Sequence, residues 1–211
     1  MPHRNFKKFL VEIAVLALVS FACGQKKTET PGEEKSITPR SVLMVIAPQE
    51  FRDEEFKSPF EYLKNLSHNV RVASTDTTTA TGMLGMKVKP DLRIKDVDTL
   101  AYDALILVGG TGSMVYWDDQ TVHQLVKYFA RPPKLLAAIC IAPVTLARAG
   151  VLKGKEATVY KNRTTLDELK KGGATYIEKD VVVSENIITA SGPKASDKFA
   201  QAIATALENH Q

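Results

Sequence analysis

Cysteine is nearly absent: there are two in 211 residues, Cys23 and Cys140. They fall in segments of unrelated character, so no disulfide between them is expected. Histidine is scarce as well, represented by His3, His68, His123 and His210. No Cys, His and carboxylate spacing fits a metal site, and none is expected. A strong charge of one sign is lacking too, since the formal net charge is +4. Lys and Arg do not cluster with aromatics, so nucleic acid is not an expected partner. Gly110-Thr111-Gly112 lacks the third glycine of a dinucleotide-binding turn, and no Gly-Lys-Ser/Thr follows for a phosphate loop. No cofactor is expected on these grounds.

An apolar run is present at the N-terminus, but it is short. Residues 13–22 (IAVLALVSFA) make ten residues, too few to span a bilayer. Arg4, Lys7 and Lys8 precede them, as in a signal peptide. The run ends in Ala22-Cys23-Gly24, which resembles a bacterial lipoprotein signal, although Ser20 stands where Leu is usual. The expectation is a leader at 1–22, lipidation of Cys23 and an anchored protein of a bacterial cell envelope. Residues 23–40 are polar, charged and carry Pro31 and Pro39, which reads as a flexible tether. A folded domain over 41–211 follows.

That domain alternates strand and helix patterns. Continuous apolar runs at 41–47 (SVLMVIA), 104–108 (ALILV) and 135–139 (LLAAI) read as strands buried on both faces. NVRVAS at 69–74 is a further strand, and short strands are expected at 157–160, 175–177, 181–183 and 187–190. Residues 48–53 read as a polar connection and 75–85 as a loop. Residues 86–88 and 92–94, flanking Pro90-Asp91, read as a hairpin. Helical spacing links Phe56, Phe60 and Leu63, then Val122, Leu125, Val126 and Phe129, then Phe199, Ala202, Ile203, Ala206 and Leu207. Thr165 to Glu168 matches a capping box opening a helix that stops at Gly172-Gly173. Trp117-Asp118-Asp119 reads as a pocket rim followed by a helix cap. The pattern predicts an α/β, three-layer, flavodoxin-like sandwich with a mainly parallel central sheet.

The organising stretch is LLAAICIAPVTLARAG at 135–150. A buried strand ends at Cys140 and turns at once into a helix, with Pro143 suited to the first helical turn. This is the pattern of a nucleophile elbow. The helix dipole at such a position favours thiolate. From the stretch alone the thiol reads equally as a nucleophile or as a small core residue. Sites in parallel sheets gather at the C-terminal strand edges. The loop after Ala47, residues 109–112 and Cys140 all fall there, which favours the nucleophile.

Four pieces, in order, carry a resemblance: APQEFRDEEFKSP, DALILVGGTG, AAICIAPVTLARAGVLKGKEAT and ITASGPKASDKFAQAIATAL. Together they resemble the DJ-1/PfpI (ThiJ/PfpI) superfamily, of class I glutamine amidotransferase-like fold, over nearly the whole domain. The resemblance implies that Cys140 is the reactive cysteine. Glu55, four residues before Pro59, would be the acid that contacts it, with Glu54 and Asp53 as near-register alternatives. The backbone N–H groups of Gly110 and Ile141 would hold an oxyanion. Gly109 and Thr111 would border the pocket, together with Tyr160 unless its ring faces the core. Relatives with peptidase activity carry His directly after the cysteine, where this chain has Ile141, and others carry a strand His where Tyr160 stands here. None of the four histidines matches a site position, and His68 and His123 are expected at the surface.

Two readings follow. One is a cysteine-dependent enzyme acting on small reactive carbonyls, glyoxalase- or deglycase-like. The other is a non-enzymatic redox sensor or protective protein whose Cys140 meets an oxidant. A peptidase or amidase lacks its general base. The resemblance also implies a homodimer.

Overall fold

The computed structural model describes residues 38–209. The expected leader, Cys23, most of the tether, His3 and His210 lie outside the described residues. The central sheet has seven strands: β1 (Ser41–Val45), β2 (Asn69–Ser74), β3 (Leu92–Arg93), β4 (Ala104–Leu107), β5 (Leu135–Ile139), β6 (Val181–Ser184) and β7 (Ile187–Ala190). Their spatial order is β6-β7-β5-β4-β1-β2-β3. All neighbours are parallel except the β6/β7 hairpin at one edge. Helices α1 (Asp53–Asn65), α2 (Gln120–Phe129), α3 (Pro143–Arg148), α4 (Arg163–Lys171) and α5 (Ser196–Asn209) cover both faces.

The apolar strand runs make this arrangement necessary. In β1, Val42 and Met44 point into the core layer shared with Phe56, Leu63, Phe199 and Ile203 of α1 and α5. Leu43 and Val45 point the other way, into the layer with Val122, Phe129, Leu146 and Leu169 of α2, α3 and α4. A strand with no polar face needs a helix layer on each side. The result is an α/β sandwich of three layers with a mainly parallel sheet. The core strands β2-β1-β4-β5-β7 follow the flavodoxin order, whose chain direction reverses between β1 and β4. Ligand crevices form at that switch point, outside the carboxyl ends of the strands.

Several local expectations are corrected. Residues 48–53 contain a short strand, Gln49–Phe51, and the 75–85 loop contains another, Ala80–Gly82. Lys87–Val88 pairs antiparallel with Ala80–Gly82, while β3 pairs parallel with β2, so residues 86–94 form no hairpin. Asp91 causes the split. Its N–H donates to Val72 O at 2.8 Å and its carboxylate accepts from Val72 N at 2.7 Å, hooking the chain to the main sheet. The strand expected over 157–160 is Glu156–Ala157 alone, because Thr158 N turns to the Thr189 hydroxyl. The N-cap of α4 lies three residues before the expected one. Asn162 is the N-cap and Thr165 the reciprocal third residue, so the capping box is Asn162 with Thr165. Among the described residues no helix is long and apolar enough to cross a membrane.

Candidate active site

Strand β5 is buried throughout, and the chain leaves it at Cys140 with φ +66°. A non-glycine residue in the left-handed region is held there by its surroundings. Cys140 N donates to Ala190 O at 2.9 Å, and Tyr160 N donates to Cys140 O at 2.8 Å. Pro143 then opens α3 at its first position, where a missing N–H costs nothing. The sharp turn lifts the thiol out of the sheet and leaves the residue 8% exposed, at the floor of a cleft.

Glu55, in the first turn of α1, is completely buried beside this thiol. A Cβ on Gly109 would lie 2.5 Å from both Cys140 Cβ and Glu55 Oε2, so only glycine lets the two side chains meet. The Glu55 carboxyl oxygens have no hydrogen-bond partner of good geometry among the described residues. Burial accordingly pushes this carboxyl up to about 8, against the opposing influence of the Cys140 thiol and Arg52. The alternatives in register have other roles. Glu54 accepts from Arg52 Nε and Nη2 at 2.7 and 2.9 Å, and Asp53 accepts from Leu84 N and Met86 N at 2.8 Å each.

The thiol departs from the sequence expectation of a favoured thiolate. Burial, followed by the Glu55 charge, pushes Cys140 up to about 12, while the Gly110 and Ile141 N–H groups pull it down. Helix α3 is six residues long, too short to supply a large dipole. The repulsive contribution exists only while Glu55 is ionised; protonated, the carboxyl becomes a donor. Thiolate and Glu55 carboxylate therefore exclude one another, and once the first proton has left, the second is shared between the two groups.

The cleft above Cys140 has a volume of about 620 Å³. Gly110, Thr111, Ile141 and Tyr160 line it, and Gly109 and Glu55 lie behind the nucleophile. The Tyr160 ring is half-exposed rather than in the core, and packs against Gly192. Thr111 spends its hydroxyl on Glu50, at 2.9 Å. Trp117 forms part of the wall and Asp119 caps α2 through Val122 N at 2.9 Å. Sequence reasoning missed Arg52, Met83, Met114 and the start of α4 (residues 162–165), all of which line the cleft. Arg52 carried a usable signal, since it follows β1 at the switch point. The α4 contribution carried none, because its cap was misplaced.

The two described histidines are buried, not at the surface as expected, and neither lines the cleft. His123 Nε2 donates to Trp117 O at 2.8 Å, and His68 Nδ1 accepts from Arg40 N at 3.1 Å. Backbone partners draw these rings inward, which helical spacing alone does not reveal. Among the described residues no group of three His, Cys, Asp or Glu side chains is placed to hold a metal ion.

Comparison with known proteins gives one direction. Residues 40–206 match the DJ-1/PfpI family model. An uncharacterized protein of Methanocaldococcus jannaschii is 41% identical over 97% of this chain and 98% of its own length. The protein named deglycase PfpI of Pyrococcus furiosus is 34% identical over 72% of this chain and 90% of its own. Among solved structures, a ThiJ/PfpI domain protein from Brachyspira murdochii superposes with a TM-score of 0.78 at 32% identity. It covers 82% of this chain and 99% of the other.

Proposed function

The chain belongs to the DJ-1/PfpI family, and from that premise we propose that it is a cysteine-dependent enzyme acting on small reactive carbonyls, glyoxalase- or deglycase-like. One observation carries the reading: a fully buried carboxyl, pushed up to about 8 by that burial, sits directly beside the only cysteine in the domain. Such a group can take a proton and return it within one turnover.

The proposed sequence starts from the singly deprotonated pair. Glu55 carboxylate accepts the thiol proton, and sulfur forms a bond to the aldehyde carbon. The carbonyl π electrons move to oxygen, which the Gly110 and Ile141 N–H groups hold. Glu55 then donates the proton to that oxygen, giving a neutral hemithioacetal. With a 2-oxoaldehyde, Glu55 next passes the proton of the sulfur-bearing carbon to the adjacent carbonyl oxygen, giving an enediol, and then passes the hydroxyl proton on the sulfur-bearing carbon to the adjacent carbon. The resulting thioester is hydrolysed by water to a 2-hydroxy acid, which restores the thiol. No external oxidant or reductant is required.

The pH dependence follows from Glu55. Below about 8 the pair is doubly protonated and idle. Both kcat/KM for methylglyoxal and the rate of Cys140 alkylation should therefore rise with pH through about 8 with loss of one proton. Glu55→Gln removes the proton acceptor and should move the alkylation midpoint upward. Cys140→Ser should abolish turnover; unchanged turnover in that variant ends the reading.

The same geometry favours a second reading, in which Cys140 senses an oxidant. A protonated carboxyl and two N–H groups facing sulfur are donors for a sulfinate. Mild peroxide should then stop at a two-oxygen mass gain on Cys140, and continued oxidation to sulfonate counts against it. A peptidase is disfavoured because Ile141 follows the cysteine and no described histidine borders the cleft. We also infer a homodimer, to be checked by sedimentation, and an envelope location with Cys23 as lipid anchor.

A further inference from the structure

The cleft wall rests on a cluster that the proton chemistry does not use. Arg148 ends α3, the helix that starts at the nucleophile turn. Its guanidinium Nε lies 2.8 Å from Glu168 Oε2 on α4, and Nη1 lies 2.6 Å from Asp118 Oδ2 beside Trp117. Its Cζ stands 5.0 Å from the centroid of the Trp117 ring. Glu168 is only 9% exposed and its other oxygen pairs with Lys171 Nζ at 2.8 Å. One planar cation thus touches the α3, α4 and 111–118 segments. The turn that leads into α3 (Cys140 and Ile141), the start of α4 with its cap (residues 162–165) and the 111–118 segment (Met114 with Trp117) all line the cleft.

Nothing polar fixes the indole itself. Trp117 Nε1 is buried and has no hydrogen-bond partner among the described residues. Only the Trp117 main chain is tied, with N donating to Met114 O at 3.1 Å and O accepting from His123. The ring's tilt over the cleft is set by packing and by the guanidinium on its face. We propose that Arg148 is a positioning residue that sets the width of the Cys140 cleft through the Trp117 ring and so selects the carbonyl's substituent. This rests on the carbonyl reading for its substrate, but not for its geometry. The planar fork matters, because a lysine can supply charge to one acid but cannot bridge two while lying flat on an indole.

Trp117 is the only tryptophan in the chain, so its fluorescence reads the wall directly. In the full chain, Arg148→Met keeps the aliphatic stem and removes the fork. Acrylamide quenching of Trp117 and KM for methylglyoxal should each rise about two- to fivefold. The kcat and its pH midpoint should stay within about a factor of two, since Glu55 and Cys140 are untouched. Arg148→Lys should fall between wild type and Arg148→Met. If Arg148→Met fails to fold, Asp118→Asn, at an exposed carboxylate, should shift quenching in the same direction. Unchanged quenching in a folded variant overturns the proposal. A fall in kcat or a moved pH midpoint at constant KM also overturns it, because Arg148 would then act on the reacting atoms through charge. If the wild type turns over no carbonyl, the carbonyl reading fails alone. Quenching, and the ratio of Cys140 alkylation by a bulky and a small haloacetamide, still decide the role of Arg148.

Discussion

Glu55 is a carboxyl that the fold strips of water without supplying a well-aligned hydrogen-bond partner, and the cost surfaces as pH dependence. In the folded protein its proton is released near 8, against 4.5 for the ordinary group. Between those values the folded state holds a proton that the unfolded chain has lost. Its contribution to stability is therefore complete below about 4.5 and falls as pH rises through about 8. The expected size is on the order of a few kcal/mol at alkaline pH. Thermal unfolding should show the Tm falling from about pH 5 to about pH 8, with a flatter profile in Glu55→Gln. Parallel profiles would mean that the carboxyl is solvated. The position of Glu55 was legible only through the family resemblance, which sets it four residues before Pro59, and its burial was not, because three acids in a helix's first turn ordinarily face water and complement the dipole. Cys140 was legible because strand, cysteine and Pro143 follow in a pattern only a sharp turn accommodates. The direction of its thiol shift was not, since burial and the Glu55 charge outweigh a six-residue helix.

At the level of elements, a small sheet beside the cleft is held by its backbone pairing and fastened to α1 by the Asp53 side chain. Asp53, at the first position of α1, accepts from Leu84 N and Met86 N. Gly82 leaves the room, since a Cβ there would lie 2.5 Å from Asp53 Oδ2. Asp53→Asn replaces one acceptor by a donor that faces an N–H. A hydrogen bond to a charged group is worth about 1.5–3 kcal/mol, and Tm should fall accordingly. Limited proteolysis should begin cutting near residues 83–86, next to the cleft-lining Met83. Equal protection of both proteins would show that Asp53 is dispensable to the small sheet. This element was read as a loop, because three-residue strands rich in Thr and Gly show no usable alternation. The apolar strands and the amphipathic helices were legible, since their faces are long enough to carry a period. The α4 cap was missed because Thr165 and Glu168 imitate a capping box while Asn162 and Thr165 form the real one.

At the scale of the whole domain, the parallel sheet puts Cys140 and the start of β1 at opposite ends. Cys140 lies where β5 ends, and Ser41 lies where β1 begins, with its N–H on the Asp103 carboxylate that precedes β4. Alternating apolar strands and helices make this polarity legible in the sequence, because each helical crossover returns the chain to start the next strand in the same direction. Ser41, the first residue of β1, therefore lies at the end of the sheet away from the cleft. If Cys23 carries the lipid, the anchor is attached to the chain N-terminal to Ser41. Anchorage should then leave the cleft open to solvent. Two results are expected from expressing wild type and Cys23→Ser in a bacterium. The wild type should fractionate with membranes and the variant with the soluble envelope contents, since a single lipidated terminus is the only expected attachment. Cys140 should be alkylated at the same rate in both forms. Retention of Cys23→Ser in the membrane would show that another segment anchors the chain. Slower alkylation of the anchored form would show that the cleft faces the lipid surface, against the polarity that the sheet imposes.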